Sequence, residues 1–378
     1  MDVCCTDSSE KGENQPLIAK MNRSICTNNG KSFGFWLRFP SFPTRYIWSS
    51  MRGLHFFYTT NQEEGIHLVK TFLTYQQQLQ ILEHDKQLAI PNPDYAKQML
   101  EEISYYSLIG GYKSLFKHNA SNKYTHGVTF DELVSFYYFD EELRTLFLKY
   151  ILHVERHTKS MFSYYFCEKY GEQQRYYLDV NCYNYNKRNQ RQVQRLVHSL
   201  QKAISVPSQY TYINHSANTH HNVPLWVATN ALTFGQISKM YQYATTDIRT
   251  KISKNFTNIS EKQLHQFITI IARCRNVCAH GERLFSFRIH ETIPDTLLHK
   301  KLQIPQKNGN YQYGKQDLFA VVIALRYLIS SEDFKAFKSN LTKLINNVLR
   351  QCPHLTHEQL LMEMGFPENW EKIMRYKK

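Results

Sequence analysis

From about residue 70 onward, apolar residues recur every three or four positions, the spacing of one buried helix face. The sustained alternation that marks a half-buried strand is missing. Capping boxes punctuate the pattern at Thr74-x-x-Gln77, Thr129-x-x-Glu132 and Ser260-x-x-Gln263, each able to satisfy amide groups left open at a helix start. These signals predict an all-α fold. Leu79 and Leu82 belong to a short first helix, and Asn92-Pro93 opens a second that runs to about Ser104. Tyr105 to Tyr112, around Gly110-Gly111, reads as a packed turn. Thr129 to about Tyr170 predicts a long core helix through Leu133, Phe136, Leu143, Phe147, Tyr150, Ile151 and Val154. The polar pair Glu155-Arg156 interrupts its late turns and points toward a site.

Downstream, Asn214 to His221 reads as a polar loop, and Pro224 starts one helix that continues past Gly235, where the glycine allows close helix packing. The helix opened by Ser260 carries Phe267, Ile270, Ile271, Cys274 and Cys278 on its apolar face and stops at Gly281. Leu318 to Ile329 and about Glu332 to Leu349 predict two covering helices, followed by an apolar plug at Met364 to Trp370. Residues 1–68 keep no period. Phe33, Phe35, Trp36, Phe39 and Trp48 stand there among prolines, so this stretch is expected to be a poorly ordered appendage, with Met51 a candidate start.

Charge changes this picture. The 378-residue chain carries a formal net charge of +14, which favours polyanionic partners. No run approaches the roughly 20 apolar residues of a membrane span, and Asp2, Asp7, Glu10 and Glu13 stand where a signal peptide would be apolar, so a cytoplasmic protein is expected. The positive charge is also local, because no Asp or Glu occurs between Val180 and Thr246. Within that stretch Arg188, Arg191, Arg195, His198 and Lys202 step by three and four along one helix face, opposite Val193, Leu196 and Leu200. A stripe of one sign predicts a track for RNA phosphates. The eight cysteines show no paired Cys-x-x-Cys units, and His215, His220 and His221 have no Cys, Asp or Glu nearby, so neither metal nor cofactor is expected.

The remaining chemistry sits at a helix end, in Arg275-Asn276-Val277-Cys278-Ala279-His280. A guanidinium holds phosphate oxygens through a fixed fork of donors, and an imidazole moves protons near neutral pH, which together suit RNA cleavage. At about 100° per residue, Asn276 and His280 share a face and Arg275 lies one step round from it.

Several motifs taken together carry a resemblance. They are Tyr105-Tyr106-Ser107-Leu108-Ile109-Gly110-Gly111-Tyr112, Phe139-Asp140-Glu141-Glu142-Leu143-Arg144, Trp226 with Phe234-Gly235, Arg275 to His280 with Arg283-Leu284, and Met364 to Trp370. In order and spacing they resemble the Abi-like family of bacterial abortive infection proteins, of AbiD/AbiF type, over roughly residues 70–372. That resemblance implies the HEPN superfamily, helical bundles of which many are metal-independent endoribonucleases built around Arg-x4-6-His. It implies a bundle over 129–290, with helical segments 69–128 and 291–378 on either side. His280 would transfer protons, Arg275 would stabilise the phosphate, Asn276 would orient the pair, and Glu155 would hold Arg275 or His280. One histidine cannot serve both sides of an in-line displacement, so a homodimer is implied. Where the family has Glu followed four residues later by Arg, this chain has Glu155 and Lys159, which keeps the charge without the bidentate fork. A non-catalytic regulator bound to a small structured RNA, and a helical scaffold that recruits another defence protein, are the alternatives.

Overall fold

Thr129 begins the longest element of the chain. In the structure, a computed structural model that describes residues 71–117 and 122–376, its hydroxyl accepts from the Glu132 amide and the Glu132 carboxylate accepts in return from the Thr129 amide. Both partners of the capping box are therefore satisfied, and the helix runs unbroken to Tyr170 before Gly171 turns the chain at φ +91°.

Before it come α1 (Tyr75–Gln80), whose last turn widens into a π turn, α2 (Pro93–Ile103) and α3 (Tyr105–Tyr112). The 41-residue helix is α4 (Phe130–Tyr170). Next follow α5 (Gln174–Tyr177), α6 (Gln190–Ala203), α7 (Thr211–His220), α8 (Leu225–Ala231), α9 (Phe234–Tyr243), α10 (Thr246–Ser253) and α11 (Glu261–Ala279). The last third holds α12 (Leu297–Lys301), α13 (Leu318–Leu328), α14 (Ser331–Gln351) and α15 (His357–Met364). The strands among the described residues are β1 (Gln306–Lys307) and β2 (Asn310–Tyr311), a two-residue antiparallel pair between α12 and α13.

The mostly helical fold follows the apolar periodicity. α4 is the spine: α11 and α14 pack along it, joined by α3, α8, α9 and α10, and α13 lies against α11. Leu133, Phe136, Leu143, Phe147, Ile151, Phe162 and Phe166 are buried on α4, and every residue of α13 is buried. Residues 70–378 form one compact unit. Residues 1–68, read above as an appendage, lie outside the described residues.

Local structure departs from the sequence reading in several places. Tyr105–Tyr112 is a helix rather than a turn, capped by the Ser104 hydroxyl on the Ser107 amide. Its two glycines are tolerated because tertiary contacts fix the segment: a Cβ on Gly111 would stand 3.4 Å from Cδ of Arg283. Asn214–His221 is not a loop either, since α7 buries Ile213 and Ser216 and ends only at His221, in the left-handed region at φ +49°. The helix expected from Pro224 through Gly235 is two. Leu232 turns extended, and Thr233 and Gln236 form a fresh capping box that starts α9. Gly235 mediates no close packing, because the nearest atom to a Cβ there would be the Thr233 hydroxyl at 3.8 Å.

The C-terminal plug is as expected, with Met364, Phe366 and Trp370 buried. Cys352 and His354 tie that end to the start of the spine. The Cys352 thiol donates to the Glu132 carbonyl at 3.3 Å, and the His354 imidazole lies 2.8 Å from the Glu132 carboxylate. Among the described residues no helix is long and apolar enough to cross a membrane.

Candidate functional site

The arginine and histidine of the sequence motif stand at the C-terminal end of α11, and the backbone there explains why the helix stops. His280 is the C-cap, at φ −94° and ψ 4°, and Gly281 follows in the left-handed region at φ +67°. The Glu282 amide donates to the Val277 carbonyl at 3.1 Å and the Gly281 amide to the Cys278 carbonyl at 3.4 Å, the paired bonds of a Schellman ending. A Cβ on Gly281 would meet nothing within 4 Å, so backbone conformation rather than space selects glycine. Cys274 and Cys278 are buried on the core face, and burial pushes the Cys274 thiol up. Asn276 and His280 are exposed and Arg275 half-buried, on the other side of the helix.

Glu155 of α4 meets this face from the core side. One carboxylate oxygen, Oε2, accepts from Nε of Arg275 at 3.4 Å, while Oε1 lies 2.8 Å from Nζ of Lys159, one turn along α4. The carboxylate side chain is 8% exposed, against 32% for the guanidinium it holds. The carboxylate thus lies between two cationic side chains, and it fixes the Nε edge of Arg275. The terminal guanidinium nitrogens have no protein partner among the described hydrogen bonds, so they remain available to a ligand. Lys159 thus occupies one oxygen of Glu155 and Arg275 the other.

The segment just after His280 is held by Asp140, a residue whose role its spacing in the sequence does not reveal. Asp140 is fully buried on α4, and its Oδ1 accepts from the amides of Phe285 at 2.8 Å and Leu284 at 3.1 Å. Its Oδ2 accepts from the Tyr112 hydroxyl at 2.9 Å and from Nη1 of Arg144 at 2.8 Å. Burial pushes this carboxyl up, and Arg144, the two amides and the Tyr112 hydroxyl offset only part of that rise. Arg283 adds a bond from Nη1 to the Gly111 carbonyl at 2.9 Å. α3, α4 and the chain beyond α11 therefore converge on one carboxylate, and that convergence sets where α11 ends. The available signal was a charged pair four residues apart on the otherwise apolar stripe of Phe136, Phe139, Leu143 and Phe147.

The basic stripe is elsewhere. Arg188, Arg191, Arg195, His198 and Lys202 are all exposed, and Val193, Leu196 and Leu200 are buried on the opposite face. Arg188 precedes the helix, in the turn closed by the bond from the Asn189 amide to the Asn186 carbonyl. α6 packs on α9, and α9 packs on α11, so an intervening helix separates the stripe from the element that carries Arg275 and His280. The histidines of α7 do not gather: His215 and His220 approach edge to face at 5.6 Å, and the described residues contain no cluster of three His, Cys, Asp or Glu able to hold a metal ion.

Comparison with known proteins gives one assignment. The model of the Abi-like protein family matches residues 98–286, from within α2 to just past the Schellman ending of α11. That span contains the α3 motif, Asp140 and Arg144, Trp226, and Arg275 to Leu284, and leaves Met364 to Trp370 outside it. Among curated proteins and among solved structures nothing matches.

Proposed function

Because the chain belongs to the Abi-like family of abortive infection proteins, we propose that it is a HEPN-type endoribonuclease of phage defence that cleaves RNA without a metal ion. The observation that carries this reading is the Arg275-x4-His280 pair at an accessible helix end, with the buried carboxylate of Glu155 on Arg275. In this mechanism a base removes the proton of the 2'-hydroxyl, whose oxygen attacks the adjacent phosphorus. The bond to the 5'-oxygen breaks, and an acid protonates that leaving oxygen. His280 transfers protons, Arg275 neutralises the charge that grows on the phosphorane, and Asn276 helps orient the pair. Glu155 and Lys159 position Arg275. The products carry 2',3'-cyclic phosphate and 5'-hydroxyl ends.

One chain supplies one such imidazole, whereas base and acid stand on opposite sides of the reacting phosphorus. Two copies that bring their α11 ends together about a two-fold axis supply both. Arg188, Arg191, Arg195, His198 and Lys202 then guide the RNA backbone from α6, outside the reaction centre. The experiment is incubation of purified wild type and His280→Ala with total RNA in EDTA, followed by mapping of fragment ends. His280→Ala is expected to lose on the order of 10²- to 10⁴-fold in cleavage rate while remaining folded. Equal cleavage by both proteins eliminates the reading. Retained RNA binding without cleavage by the wild type favours a regulator that binds a small structured RNA.

A further inference from the structure

Tyr106 of α3 is 72% exposed, and no described hydrogen bond or ring contact engages it. Its ring lies against Gly110, where a Cβ would stand 3.6 Å from ring carbon Cδ2. Glycine thus gives the ring a backbone bed, and the exposure leaves aromatic surface open to solvent. The core uses the opposite side of the same helix, through Leu108, Ile109 and Tyr112.

One residue further on, α3 meets the segment that follows the Arg275–His280 motif. A Cβ on Gly111 would stand 3.4 Å from Cδ of Arg283 and 3.9 Å from its Nε, and Nη1 of Arg283 donates to the Gly111 carbonyl at 2.9 Å. Arg283 is exposed, and its other guanidinium nitrogens have no partner among the described hydrogen bonds. A second fastening stands beside the first, because the Tyr112 hydroxyl donates to the Asp140 carboxylate that holds the Leu284 and Phe285 amides. The position of α3 relative to the end of α11 is therefore fixed. Arg283 follows His280 by three residues, a reach of at most about 11 Å. Tyr106 on Gly110, Arg283 on Gly111 and His280 form a connected series.

An open aromatic surface beside a free guanidinium suits an unpaired base and its phosphate. Every base has a π-face to stack, and the fork of donors takes phosphate oxygens. In a duplex those faces are already stacked on one another, so Tyr106 has nothing to receive. An acidic peptide would engage Arg283 and leave the ring idle. We infer that α3 carries a subsite for single-stranded RNA, with one unpaired base on Tyr106 and an adjacent phosphate at Arg283, which leads the strand to the end of α11. The inference rests on RNA as the ligand of this chain and does not require that the RNA be cut.

The test uses the full chain and a short 2'-O-methyl oligoribonucleotide that contains 2-aminopurine, cannot be cleaved, and loses fluorescence when its base stacks. Wild type is expected to quench the probe and to bind it at least ten-fold more tightly than the same strand in a duplex. Tyr106→Ala, folded by circular dichroism, should bind on the order of 10- to 100-fold more weakly and without that quenching. Tyr106→Phe should restore both. Arg283→Gln should lower the slope of log affinity against log salt by about 0.7, and an unchanged slope overturns the assignment of Arg283 to phosphate. Equal affinity and quenching in Tyr106→Ala, or a duplex bound as tightly as the single strand, overturns the inference. If wild type cleaves total RNA while Tyr106→Ala binds the probe equally well, the inference falls and the nuclease reading stands. If binding depends on Tyr106 and wild type cuts no RNA, the inference stands and the nuclease reading falls.

Discussion

A buried imidazole can be a structural part, and His299 is one. Its Nδ1 accepts from the Thr296 amide at 3.1 Å, and its Nε2 donates to the Gly314 carbonyl at 2.8 Å. Those partners demand the neutral ring with its proton on Nε2, because a second proton would face an amide N–H. Burial accordingly pushes His299 down to about 4 from an ordinary 6.5. The unfolded chain takes up the proton first, so stability present above pH 6.5 is lost as the pH falls toward 4, by up to about 3 kcal/mol. Asp317, buried beside Gly314 and pushed up to about 6, works in the opposite direction: it contributes stability below its ordinary 3.8 that is lost as the pH rises through 6. The two are separated by His299→Gln, whose amide can keep both hydrogen bonds without titrating. Urea midpoints measured at pH 7 and pH 4.5 should fall more in the wild type than in His299→Gln, and parallel falls would remove the assignment. At this scale the sequence was legible where spacing alone sets geometry, as in the placement of Arg275, Asn276 and His280 away from the buried Cys274 and Cys278. It was silent on Asp140, whose partners include amides of Leu284 and Phe285, far along the chain.

Helices with their own start signals and an apolar face were legible from those two features together. α4, α11, α13 and α14 all lie within a few residues of the ranges their periodicity predicts. The failures share a cause. The apolar repeat of Leu225 to Tyr241 runs on through Thr233, and only the Thr233-x-x-Gln236 box marks the new start. α7 has almost no apolar repeat, so its helix depends on contacts with neighbours such as α8. α6 combines a buried apolar face with an exposed face of one charge, and that contrast is the basis of a prediction. Replacing Arg188, Arg191 and Arg195 by glutamine should weaken single-stranded RNA binding and reduce the slope of log affinity against log salt by about two, if each arginine releases its share of counterions. Filter binding from low to high salt gives that slope, and an unchanged value would take α6 out of the RNA path.

The whole molecule raises the question of completeness. Within residues 70–378 each element of the proposed centre is present once, and Asn276 and His280 are exposed at the end of α11 rather than enclosed. Sedimentation of the active protein should therefore give twice the chain mass, and dilution to monomer should abolish cleavage in step with dissociation. A monomer that still cleaves at full rate would refute the shared centre. α13 carries a different consequence. All its residues are buried, and α14 supplies part of that cover from the C-terminal side. During synthesis, therefore, this fully buried helix leaves the ribosome before α14 has emerged to cover it. For that interval it is a target for chaperones and a seed for aggregation, and productive folding waits on α14.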